Sequence, residues 1–114
     1  MPDDLTIIGQ NAYFNSHFTS VDIPSGVTII GFGGFDACSF LANVIIPASV
    51  NKIEARAFYR CDDLVSVTFL GVIEATNFSS SSSFPGDLRA KYLSGGPGTY
   101  TRLKGSNTWT KQGS

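Results

Sequence analysis

Residues 41–64 read LANVIIPASVNKIEARAFYRCDDL, and most of this stretch has a counterpart elsewhere in the chain. The strand-like run VIIP at residues 44–47 corresponds to VDIP at residues 21–24, which lies 23 residues earlier. Phe58 follows the same spacing from Phe35. A repeat of this length predicts a solenoid of stacked coils, because a single coil cannot bury its own apolar face and must stack on its neighbours.

Each repeat has two recognisable parts. An apolar-x-x-apolar-x-apolar step, as in Leu64, Val67 and Phe69, ends with the alternation of a half-buried strand. It predicts a short parallel β-sheet on a concave face. An Ile-to-aromatic step predicts the opposite, convex wall as an irregular or 3₁₀ segment, with a single helical turn as the alternative. The Ile anchors are spaced by 22, 23 and 20 residues and divide residues 5–94 into about four partial coils: Ile8, Ile30, Ile53 and Ile73.

The segment after the third coil allows two interpretations. Pro85 and Gly95 indicate a short helix between them. The step from Leu88 to Leu93 instead equals the strand step of the earlier coils, and on this basis we predict a fourth strand. The serine run at residues 79–83 then becomes a solvated loop.

The last part of the chain has the pattern of a β-hairpin. Residues 99–103 and 108–111 alternate at period two around a Gly-containing turn. We predict that this hairpin caps the final coil within residues 95–112, because the end of a stacked core needs a cover.

Composition limits the classes of function. The 114 residues predict a single domain, residues 1–114. A net charge of −1 gives no field to attract nucleic acid, so no nucleic-acid partner is expected. No apolar run is long enough for a membrane span. The acidic start of the chain lacks the positive region of a signal peptide, so none is visible.

The sequence offers no grouping of catalytic or metal-binding residues. His17 is the only histidine and has no second ligand at metal-binding spacing, so we expect no enzyme, metal or cofactor. Cys38 and Cys61 occupy the same position in successive coils. They could form a disulfide or stack as two buried thiols, and we favour the buried thiols.

Two sets of exposed residues are candidates for binding. The first is the outward-facing set of the predicted strands, and it forms a mostly neutral candidate binding face. Its members are Ser20, Asp22, Asn43, Ile45, Ser66, Thr68 and Tyr92. The second set contains aromatic residues outside the inward pattern of the repeat, which are candidates for self-association. These residues are Phe14, Phe32, Phe40 and Tyr59.

Residues 41–61 resemble the leucine-rich repeats of the bacterial surface-antigen type, a class also called treponemal repeats. The unit of that family has a leucine, a Val-x-Ile-Pro strand, an Ile-Gly-x-x-Ala-Phe segment and a cysteine. The matching positions here are Leu41, Val44, Ile46, Pro47, Val50, Ile53, Ala57, Phe58 and Cys61. Residues 86–112 look like the C-terminal ending of spirochaete members, so the resemblance covers about residues 5–112.

The resemblance implies a non-catalytic protein at a bacterial surface, in the envelope or in the periplasm. Such a protein would bind other proteins, for example those of a host, and would act in adhesion. The alternative is a structural protein whose exposed ends and aromatic residues associate into a homo-oligomer. Both functions follow by analogy, because a fold hosts many functions.

Overall fold

The computed structural model describes residues 1–113, which contain two β-sheets, one α-helix and one 3₁₀ turn. The first sheet has the order β1 (Ile7–Ile8), β3 (Ile29–Ile30) and β5 (Lys52–Ile53). The second sheet has the order β2 (Ser20–Asp22), β4 (Asn43–Ile46), β6 (Ser66–Phe69), β7 (Gly98–Thr101) and β8 (Thr110–Lys111). The helix α1 spans Leu88–Gly95, and the 3₁₀ turn spans Ala75–Asn77.

The 23-residue repeat sets the register of the second sheet, because residues 23 positions apart lie side by side. β2, β4 and β6 pair in parallel, with Val21, Val44 and Val67 side by side. These three valines are buried, whereas the residues that flank them face outward. The parallel sheet predicted from the apolar alternation is therefore present.

The opposite wall contains a sheet that the sequence analysis missed. β1, β3 and β5 also pair in parallel and place Ile8, Ile30 and Ile53 in register inside the core. Each of these strands is followed by turns, which correspond to the irregular wall that was predicted. The turns of the first three coils use left-handed backbone at two equivalent positions per coil, with φ between 54° and 64°: Asn11, Asn15, Gly33, Ala37, Arg56 and Arg60.

The fourth coil begins at a different residue from the one predicted. Phe78, not Ile73, forms the parallel bridge with Ile53. The Ser79 N–H donates to the Ile53 carbonyl (2.9 Å), as the Glu54 N–H does to the Ile30 carbonyl (2.9 Å). The anchor predicted at Ile73 is therefore wrong, because the 3₁₀ turn is inserted before the coil resumes its alignment.

The serine run is a stacked turn of this fourth coil and not an inserted solvated loop. The carbonyls of Ser81 and Ser83 accept hydrogen bonds from the N–H groups of Arg56 and Phe58 (3.0 and 2.8 Å). Ser83 is buried, and its hydroxyl donates to the Ser79 carbonyl (2.8 Å). The predicted loop is thus wrong at its buried end, where backbone pairing with the third coil holds it.

The predicted fourth strand is also wrong. Residues 88–95 form α1, as the local signals at Pro85 and Gly95 had indicated. The position beside β6 is occupied by β7, which pairs with it antiparallel. The helix instead buries Leu88 and Tyr92 against the end of the core.

The predicted hairpin is present as β7 and β8, and it is fastened to the segment that precedes α1. Trp109 is fully buried, and its indole Nε1 donates to the Pro85 carbonyl (2.8 Å). The Trp109 backbone N–H donates to Oδ1 of Asp87 (2.8 Å). Helix and hairpin together cover the C-terminal end of the stacked core.

A column of parallel aromatic rings runs through this core. Neighbouring rings have centroids 5.5, 5.0 and 4.6 Å apart, with planes within 14° of parallel. The column contains, in order, Tyr13, Phe35, Phe58 and Phe84. Phe84 occupies the fourth position, although Phe78 is the residue that follows Ile73 at the five-residue spacing of the earlier coils.

Candidate functional site

The outward-facing residues of β2, β4 and β6 lie in two rows across the second sheet. Ser20, Asn43 and Ser66 are aligned in one row. Asp22, Ile45 and Thr68 are aligned in the other. The residues on β2 and β4 are exposed, and those on β6 are half-buried. The structure thus brings six of the seven candidates of the binding face together on one surface.

The hairpin extends both rows by residues that the sequence analysis did not include. Thr101 lies opposite Ser66, and Thr99 lies opposite Thr68, with their hydroxyl oxygens 2.8 Å apart in the second pair. Thr110 then lies opposite Thr101. The alternation around Tyr100 contained this signal, since it requires Thr99 and Thr101 to share a face. We call the combined surface the outer strand face: Ser20, Asp22, Asn43, Ile45, Ser66, Thr68, Thr99, Thr101 and Thr110.

Tyr92 does not belong to this face. Its side chain is only 3% exposed, because it lies on α1 and packs against the Phe69 ring (centroids 4.1 Å apart). The Tyr92 hydroxyl accepts a hydrogen bond from the Ile73 N–H (2.9 Å) and donates one to the Gly71 carbonyl (2.7 Å). Burial raises the pKa of this phenol. Tyr92 therefore anchors the helix to the core.

The self-association candidates are exposed but dispersed. Phe14, Phe32 and Phe40 are 50%, 40% and 54% exposed. Phe40 packs edge-to-face on His17 (centroids 5.6 Å), whereas Tyr59 is half-buried with the guanidinium of Arg56 4.7 Å from its ring centre. Within residues 1–113 no ring contact joins any two of the four candidates.

The two cysteines are free, buried thiols in the described chain. The sulfur of Cys38 donates to the Tyr13 carbonyl and that of Cys61 to the Phe35 carbonyl (both 3.2 Å). Burial raises the pKa of both thiols, which keeps them protonated and unreactive near neutral pH. Each thiol acts as a small apolar group that bonds to the backbone of the preceding coil.

A cavity of about 580 Å³ lies between the turns of the third and fourth coils and the hairpin. Its lining includes Arg60, Arg89 and Arg102. Arg102 donates to the carbonyls of Leu64 and Ser106 (2.6 and 2.7 Å), and burial lowers its pKa. The bond to Leu64 holds the hairpin against the third coil, and the bond to Ser106 holds the hairpin loop, so the arginine has a structural role.

The described residues show no arrangement that indicates catalysis. His17 is exposed, and within residues 1–113 no group of three His, Cys, Asp or Glu side chains could hold a metal ion. The same part of the chain contains no helix long and apolar enough to cross a membrane.

Comparison with known proteins supports the same repeat unit. The family model described as "BspA type Leucine rich repeat region (6 copies)" matches residues 1–85, about three quarters of the chain. No curated protein and no solved structure matches the chain. The matched residues include β1 to β6 and the aromatic column, whereas α1 and the hairpin lie beyond them. The chain therefore belongs to the BspA-type leucine-rich repeat family.

Proposed function

We propose that this chain is a non-catalytic protein-recognition module that binds its partner on the outer strand face. The BspA-type repeat is commonly part of surface proteins and protein-interaction modules, and it is typically non-enzymatic. A role in adhesion at a bacterial surface or in the envelope, including the periplasm, follows from this membership by analogy. The same proposal includes residues 86–112 as a C-terminal ending of the kind found in spirochaete members of the family.

The observation that carries the proposal is the continuity of the outer strand face over five strands. At about 4.8 Å per strand, this surface extends roughly 19 Å across the sheet. It offers hydroxyl and amide groups around one apolar side chain, Ile45, which is 39% exposed. Asp22 is its only charged residue, so recognition would depend on hydrogen bonds and apolar contact more than on charge.

Binding of the purified chain to immobilised extracellular-matrix proteins and to intact host cells tests this function. We expect Ile45→Asp to weaken binding about tenfold or more, because a charge would have to be desolvated in the middle of the contact. Leu103→Asp is the matched control, since Leu103 is 83% exposed and lies in the hairpin turn outside the face. Equal loss in both variants, or no loss in Ile45→Asp, would contradict the site.

A second candidate function is a structural one, in which copies of the chain associate through exposed aromatic residues. Its support is the exposure of three large rings, those of Phe14, Phe32 and Phe40. Large apolar side chains left open to water favour association. The absence of ring contacts among them in the described residues makes this the weaker candidate.

A further inference from the structure

Within residues 1–113, β2 is an edge strand whose outward-facing backbone groups have no partner. Its partner in the sheet is β4, on one side. The Thr19 carbonyl accepts from the Ala42 N–H (2.9 Å), and the Ile23 N–H donates to the Ile45 carbonyl (3.2 Å). Because alternate residues of a strand direct their N–H and carbonyl groups to opposite sides, those of Ser20 and Asp22 point away from the sheet. Such an edge is a template for another strand.

A groove of about 470 Å³ adjoins this edge. Asp3 and Asp22 both line it, and both are exposed. Phe18 adds apolar surface to the lining. The lining contains no Lys or Arg, and the sequence has neither residue type before Lys52. The first 51 residues carry four aspartates, whereas the remainder carries all eight Lys and Arg residues.

The opposite end of the same sheet is protected. β8 has only two residues, and its Lys111 lies opposite buried Tyr100, with Nζ bonded to the Gly95 carbonyl at the end of α1 (2.7 Å). A short edge with a lysine on its inner side is a feature that prevents strand addition. Only one of the two sheet ends therefore has the geometry to accept a further strand.

We propose that the β2 edge and its groove bind an extended cationic peptide segment by strand addition. The segment would lie parallel to β2, as β4 does on the other side, and would bond to the free N–H and carbonyl groups of Ser20 and Asp22. In that register, a basic side chain on the added strand lies beside the carboxylate of Asp22, and a neighbouring one reaches toward Asp3. Backbone bonds supply affinity, and the two carboxylates select a positively charged sequence.

The probe is a synthetic peptide that copies residues 41–50 with Asn43→Lys and Ile45→Lys. This peptide retains the strand that the fold already pairs with β2. Two matched peptides serve as controls: one carries Asn43→Glu and Ile45→Glu, and the other is the lysine peptide with methylated backbone nitrogens on its β2-facing side. Affinity is measured by fluorescence anisotropy at low salt, and the site by amide shifts in NMR spectra of the chain.

We expect the lysine peptide to bind roughly tenfold more tightly than the glutamate peptide, with the largest shifts at residues 19–23. Methylation should abolish binding, because it removes the backbone donors. In the variant Asp3→Lys with Asp22→Lys, the preference should reverse, and both substitutions are at exposed positions. Equal affinity for the two charged peptides, an unchanged preference in the double variant, or full binding of the methylated peptide would each overturn the proposal.

Discussion

At the scale of single residues, the aromatic column shows which core positions the repeat predicts correctly and which it does not. Tyr13, Phe35 and Phe58 were predictable because each follows its Ile anchor by five residues. The same spacing from Ile73 points to Phe78 as the fourth ring, yet Phe84 occupies the position. Spacing alone could not distinguish them, because the 3₁₀ turn shifts the alignment and Phe78 itself takes the place of an Ile anchor.

Phe58 lies in the middle of the column, between Phe35 and Phe84, and is fully buried. We expect Phe58→Ala to lower the free energy of unfolding by about 3–5 kcal/mol, because it leaves a cavity between two rings. Urea denaturation measures this change. Phe40→Ala, at a ring that is 54% exposed, is the control and should cost less than about 1 kcal/mol. Similar losses in the two variants would contradict the role of the column.

At the scale of elements, the three parallel strands of the second sheet could be predicted, because their apolar alternation recurs at a fixed spacing. α1 was not, since the step from Leu88 to Leu93 imitates a strand. The local helix signals were correct. Residues 88–95 do not add a strand to the sheet, because β7 already pairs with β6 at that position. The six residues of the binding face on β2, β4 and β6 could be predicted for the same reason as the strands. Tyr92 could not, because the sequence places it on a fourth strand and the structure places it on α1.

The Tyr92 hydroxyl bonds α1 to Gly71 and Ile73 in the segment that follows β6. We expect Tyr92→Phe to destabilise the chain by about 1–3 kcal/mol, because the buried Ile73 N–H loses its acceptor. Thermal unfolding monitored by circular dichroism gives the comparison. Tyr59→Phe removes a hydroxyl from a half-buried ring and should leave the melting temperature nearly unchanged. A melting temperature for Tyr92→Phe equal to that of the parent chain would show that the hydroxyl does not fasten the helix.

At the scale of the whole molecule, the two ends differ. The C-terminal end is closed by α1 and the hairpin, whereas the N-terminal end presents the unpaired edge of β2. Charge differs between the two parts, because the first 51 residues carry four aspartates and no Lys or Arg, whereas all eight Lys and Arg residues lie from Lys52 onward. This charge division is visible in the sequence. Which end of the sheet carries the aspartates is not, because it depends on the order of the strands, and the pairing of β7 with β6 and β8 shows that order only in the structure.

We expect a constant mass of 12.2 kDa by light scattering over a roughly hundredfold range of concentration. The reason is that, within residues 1–113, no ring contact joins the exposed rings into one patch, and a stable interface needs a large continuous one. A mass that rises to a multiple of this value would favour the structural function instead. In that case Phe32→Glu or Phe40→Glu should restore the monomer, and failure of both would exclude these rings as the contact.

The register of the stacked coils also determines the length of the outer strand face. One unit of 23 residues adds one strand to each sheet, so the reach of the outer strand face changes in whole steps of about 4.8 Å. A unit inserted between β4 and β6 would lengthen the face without altering either end. The number of units thus sets the length of the face. A partner with its own periodic surface would be matched by a change in the number of coils, while the individual contacts stay the same.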